Sequence, residues 1–141
     1  MRSNVSVLCL LSLAGGSALA QTAVELAEKA AVRALNFTQG DAQSLRRARS
    51  DFRPEGWNEF VKSMRGFIDD KGAPAFSSSF VSSGKAAVIS EEEGVIHLKI
   101  PGPLTQTQGG SRTTYGHSAI DVKAGGTPVK IEHLEVIYKA R

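Results

Sequence analysis

The residues best suited to chemistry in this 141-residue chain are three histidines, His97, His117 and His133, with Asp121 and Glu135 close to two of them in sequence. Imidazoles and carboxylates are the usual ligands of zinc-type cations and the usual general acids and bases. The spacing supports neither use. A metal site normally shows a close ligand pair, and the nearest arrangements here are His117…Asp121 and His133…Glu135. Four residues of extended strand put His117 about 13 Å from Asp121, too far for a dyad. The histidines fall on three separate expected strands and are read as surface or partly buried sheet residues, so no metal ligand is assigned. A general acid or base also needs an apolar pocket, and His97, Asp121, His133 and Glu135 are the candidates if a sheet curls around one.

Other chemistries leave fewer traces. No G-x-S-x-G nucleophile motif occurs, and the Gly-containing GGSR and AGGTP stretches have neither Walker spacing nor a dinucleotide fingerprint. No catalytic residue and no cofactor is therefore expected. Asn36-Phe37-Thr38 matches the N-glycosylation acceptor pattern, a triplet common by chance.

The elements that would position these residues begin after an export signal. Met1 to Ala20 carries Arg2, an apolar stretch from Val5 to Leu13, a Gly-Gly break and Ala18-Leu19-Ala20, the three-part pattern of a cleavable signal peptide. The apolar stretch is shorter than the roughly 20 residues of a spanning helix. Retention as an anchor is the alternative. Cleavage leaves residues 21–141 as one domain in the periplasm or outside the cell, large enough to bury its own core. Cys9, the single cysteine, leaves with the signal, so packing rather than disulfides must hold the fold. Loss of Arg2 lowers the formal charge from +3 to +2, too mild to imply a nucleic-acid partner. The local cluster Arg46, Arg47, Arg49 and Arg53 reads first as a solvated helix face, with Arg46 and Arg49 the candidates for an acidic partner.

Thr22 to Asn36 is rich in alanine, with Val24, Ala27, Ala31, Ala34 and Leu35 at helical spacing. Asp41 stands as N-cap of a second helix, completing a helical hairpin. The plainest pattern is PEGWNEFVKSMRGFIDDKG: Pro54 suits a first helical position, and Trp57, Phe60, Val61, Met64, Phe67 and Ile68 form one apolar stripe that Gly72 and Pro74 bring to an end. The stripe is read first as core, with Trp57, Phe60, Val61, Met64 and Phe67 the candidate lining of any pocket.

Beyond Pro74 the texture turns to β-branched residues, with apolar runs at Phe80-Val81, Ala86 to Ile89 and Val95 to Ile100. In GVIHLKIP, Ile96, Leu98 and Ile100 share one face and Val95, His97 and Lys99 the other. Glu91 to Gly94 is read as the preceding turn, Pro101 to Ser111 as a flexible connection or loosely held edge, and Arg112 to Lys123 as one long strand. A Gly-Gly turn leads from it into Thr127 to Lys139. In that last strand Val129 and Ile131 are out of phase with Leu134, Val136 and Tyr138. A bulge near Glu132-His133 would put both sets on the core face. The alternative is a strand covered on both faces, one by a partner subunit, which Ile137 would support.

The segment DFRPEGWNEFVKSM, Asp51 to Met64, resembles the Phe-x-Pro-Glu-Gly-Trp-x-x-Phe segment in the periplasmic domains of the DotI/IcmL inner-membrane family of type IVB secretion systems; Phe52, Pro54, Gly56, Trp57 and Phe60 match. The C-terminal half is similar too, in Ile100-Pro101, Pro103-Leu104, the polar Gly-containing stretch and the closing Val/Ile strand. The likeness covers most of residues 21–141. It implies an α+β fold with N-terminal helices packed on a strongly curved antiparallel sheet, the cone-like architecture of the nuclear transport factor 2-like superfamily. It also implies a non-enzymatic domain that acts by protein–protein contact or self-association, with Ile137, Arg46 and Arg49 as candidate interface. Family members carry a transmembrane anchor near the N-terminus, where this chain has a signal pattern. The alternative is a secreted cone-fold domain holding a small apolar ligand against the Trp57 stripe. An isomerase or dehydratase of that superfamily is a third reading and requires a carboxylate or histidine inside the cone.

Overall fold

The structure, a computed structural model, describes residues 22–140. The signal-peptide reading of Met1 to Ala20 lies outside the described residues. Three helices come first: α1 over residues 22–34, α2 Ala42–Arg49 and α3 Pro54–Ser63. Seven strands follow, β1 Ser77–Phe80, β2 Ala87–Glu92, β3 Val95–Pro101, β4 Leu104–Gln108, β5 Ser111–Tyr115, β6 Ala119–Gly125 and β7 Lys130–Ile137. They form two antiparallel sheets in the orders β1-β4-β5 and β2-β3-β6-β7. The α+β class expected from the sequence is the one observed, with the helices packed on curved sheet.

The alanine face of α1 buries Ala27, Ala31, Ala34 and Leu35, and Asp41 caps α2 by accepting a hydrogen bond from the Gln43 amide at 3.2 Å. Asn36 follows α1 and ties it to the sheet. Its side-chain amide donates to the carbonyls of Val32 (2.7 Å) and Phe80 (3.0 Å) and accepts from the Phe80 amide (3.1 Å). It thereby acts as a neighbouring strand for the end of β1.

The third helix is shorter than its stripe predicts. Regular helix ends at Ser63, because Gly66 adopts a φ of +97° and turns the chain away. Met64 and Ile68 are nonetheless buried, since the 64–76 loop folds back through bridges Arg65–Ile68 and Ile68–Pro74. The apolar spacing thus reported burial correctly but overstated the length of helix.

Three strand expectations also change. Glu91 and Glu92 belong to β2, and the turn contracts to Glu93 and Gly94, both at positive φ, as a two-residue hairpin favours. Pro101 to Ser111 is no loose connection: it contains β4, the central strand of the three-stranded sheet, closed onto β5 by Gly109 and Gly110 at positive φ. Arg112 to Lys123 is two strands, β5 and β6, separated at Gly116 to Ser118 and assigned to different sheets. The two sheets are tied nearby by Tyr115 and Tyr138, whose rings meet edge to face with centroids 5.0 Å apart.

The bulge in the last strand is present. Lys123 pairs with His133 and Ala124 with Ile131, leaving Glu132 as the extra residue of β7. Ile131 and Leu134, out of phase by strict alternation, are both buried as a result.

Candidate functional site

The Asp51–Met64 segment, the sequence's most specific motif, docks against this bulge. Phe52 bridges Ile131 in parallel fashion: the Arg53 amide donates to the Ile131 carbonyl at 2.8 Å and the Ile131 amide to the Asp51 carbonyl at 2.8 Å. Arg53 is the N-cap of α3, its carbonyl accepting from the Trp57 amide at 2.9 Å, but its side chain makes no capping hydrogen bond. Its guanidinium reaches the Gly125 carbonyl at 3.3 Å and the Glu132 carboxylate at 3.5 Å. Pro54 then starts the helix with the φ it already has. Gly56 faces the bulged backbone so closely that a Cβ there would lie 2.8 Å from the Glu132 carbonyl oxygen and 2.9 Å from that of Ile131. Phe52, Trp57 and Phe60 complete the joint as an aromatic trio with centroids 5.1 to 5.5 Å apart. Each matched residue of the motif is accounted for by the seam between α3 and β7.

The stripe consequently sits in packed interior. Trp57, Phe60 and Met64 are buried, while Val61 and Phe67 are partly so. Leu98, Ile100, Ile120 and Val122 of the sheet belong to the same buried cluster and have no accessible surface. Among the described residues the buried polar side chains are Ser78, Gln106 and Ser118, none of them a carboxylate or histidine.

The titratable candidates lie instead on the opposite, outer face of the β2-β3-β6-β7 sheet. Register puts His97, Lys123 and His133 in one row across β3, β6 and β7, and Lys99, Asp121 and Glu135 in the next. His97 Nε2 is 2.8 Å from Asp121 Oδ1, His133 Nδ1 is 3.3 Å from Glu59 Oε1 on α3, and His133 Nε2 is 3.8 Å from Glu135 Oε1. The His133…Glu135 pair weighed from the sequence therefore meets Asp121 of the neighbouring strand. His117 stays apart, exposed in the turn between β5 and β6. From the sequence Asp121 stands beside His117 and among the acid–base candidates with His97, His133 and Glu135; that it lies next to these three is set by strand register, which no local spacing reveals.

The remaining candidates are dispersed. Ile137 continues the outer face of β7 beyond Glu135 and is half-buried. Arg46 and Arg49 stand exposed on α2, where with Lys71 they rim a cleft of about 340 Å³ whose floor includes Leu45 and Trp57. Arg53 does not join them, being committed to the β7 seam. Exposed apolar side chains gather elsewhere, with Val88 and Ile89 on the edge strand β2 each about half accessible, at 53% and 52%.

Comparison with known proteins finds likeness at the level of fold. No protein-family model and no curated protein sequence matches the chain. Among solved structures, an IcmL-like type IV secretion system protein from Legionella pneumophila subsp. pneumophila strain Philadelphia 1 superposes with a TM-score of 0.68 at 11% identity, over 86% of this chain and 94% of that one. The periplasmic domain of DotI superposes with a TM-score of 0.63 at 15% identity, over 80% of this chain and 91% of that one. The fold of this chain is thus the fold of these two proteins, as the resemblance in the Asp51–Met64 segment implies.

Proposed function

We propose that the chain is an exported assembly domain of the type IV secretion or conjugation kind, acting through protein–protein contact and self-association without a chemical step. The observation that carries this reading is the fold likeness to the IcmL-like protein and to the periplasmic domain of DotI, which spans nearly the whole of both. In this reading residues 1–20 are a signal removed on export and residues 21–141 are the working domain in the periplasm. No helix among the described residues is long and apolar enough to cross a membrane. The working parts are surfaces: the edge strand β2 with Val88 and Ile89, Ile137 on β7, and the Arg46–Arg49 rim for an acidic partner. An edge strand with apolar side chains is suited to pairing with a second chain.

Light scattering from the purified protein over a wide concentration range tests the reading. The expected result is an average mass that rises with concentration and falls back when Ile89 is replaced by Lys. A monomer mass at every concentration overturns self-association.

A further inference from the structure

Two carboxylates, Asp121 and Glu135, stand directly opposite each other on β6 and β7. Like charges in that position destabilise a sheet, so the fold gains nothing from the pair. Two lysines share the face, Lys99 opposite Asp121 and Lys123 opposite His133, yet neither forms an ion pair within 4.0 Å among the described residues. Between the carboxylates and His133, one ligand atom from each residue lies within 4.8 Å of the other two.

The outer partners of these groups already hold them as metal ligands are held. Glu59 Oε1 sits 3.3 Å from His133 Nδ1. With the ring proton on Nδ1, that carboxylate accepts it and leaves the Nε2 lone pair on the side of Glu135. A carboxylate behind the distal ring nitrogen is the common support of a metal-binding histidine, fixing tautomer and orientation together. His97 does the equivalent for Asp121, engaging Oδ1 at 2.8 Å and leaving Oδ2 for a second partner. Asp121, His133 and Glu135 come from two adjacent strands, and the two groups behind them come from β3 and α3.

We propose that Asp121, His133 and Glu135 form a site for a divalent transition-metal cation of the zinc type on the outer face of the four-stranded sheet, with Glu59 and His97 as its positioning residues. One imidazole and two carboxylates suit a borderline cation better than calcium or magnesium, which take all-oxygen shells. Bonds of about 2.0–2.2 Å require the three ligand atoms to draw closer than they stand. Glu135 is the most exposed of the three and has the side-chain freedom to close the set. Three protein ligands leave at least one coordination position open to water or to a group from another molecule.

The test is calorimetric titration of the purified, tag-free protein with Zn2+, together with the visible absorption spectrum after adding Co2+. One saturable Zn2+ site per chain is expected, and a Co2+ spectrum of low coordination number. His133→Ala and Asp121→Asn should abolish saturable binding, Glu59→Gln should weaken it about tenfold through loss of support for the ring, and His117→Ala should leave it unchanged. Circular dichroism of each variant checks that the sheet is intact. Absence of saturable Zn2+ binding overturns the proposal. So does equal weakening by His117→Ala and His133→Ala, or Mg2+ competing at equal concentration.

Discussion

The seam between α3 and β7 and the outer face of the same sheet use neighbouring residues of one strand in opposite ways. At the seam, Ile131 and the bulged Glu132 present backbone to Gly56 and Phe52, with Trp57 and Phe60 closing the joint. One and three residues further on, His133 and Glu135 face outward among charges that help no packing. The difference separates what holds this fold from what the fold holds out. Residues of the first kind tolerate little change because their shape is matched on every side. Residues of the second kind are free to change as far as stability is concerned, so their arrangement calls for a reason other than the fold.

The comparison breaks most visibly at Phe60. Phe60→Ala should cost about 3–5 kcal/mol, the range for emptying an aromatic site in a close-packed core, and a denaturant titration reads it directly. Gly56→Ala sets two effects against each other. Alanine gains about 1 kcal/mol of helix propensity over glycine, but its Cβ meets immovable backbone at 2.8–2.9 Å. Overpacking of this kind costs about 1–3 kcal/mol, so the variant should be net destabilised even though most Gly→Ala changes in helices stabilise. On the outer face the sign reverses: Glu135→Gln, measured with chelator present, should raise stability by about 0.2–1 kcal/mol by removing the like-charge pair, nearer the lower figure because Glu135 is exposed. A large loss in that variant would mean that the outer face is packing after all.

How far the sequence could be read follows the same division. The bulge is legible because Ile131 and Leu134 are both apolar and out of phase, a contradiction that an extra residue resolves and that the register confirms. The third helix is shorter than its apolar spacing implies because Met64, Phe67 and Ile68 continue helical spacing while Gly66 has already turned the backbone. Strand β4 was hidden for a chemical reason: its inward residues are Leu104 and Gln106, and a buried glutamine breaks the apolar alternation that marks a strand. Gln106 is accommodated by the Tyr138 hydroxyl, 3.4 Å from its side-chain nitrogen. The polar cluster was half legible. His133…Glu135 is a two-residue spacing on one strand, whereas the approach of Asp121 depends on how the β6–β7 hairpin is registered, and that register is shifted by the bulge itself.

The joint between Phe52 and Ile131 also sets a timetable. It fastens the helical part of the chain to its last strand, with contacts such as Ser50 to Lys130 and Arg53 to Gly125 spanning 80 and 72 residues. Contacts this remote in sequence form late, because the loop between them must close before any of them is rewarded. The α3 end of the seam and the last strand therefore complete each other, and the joint closes only when the segments around Phe52 and Ile131 meet.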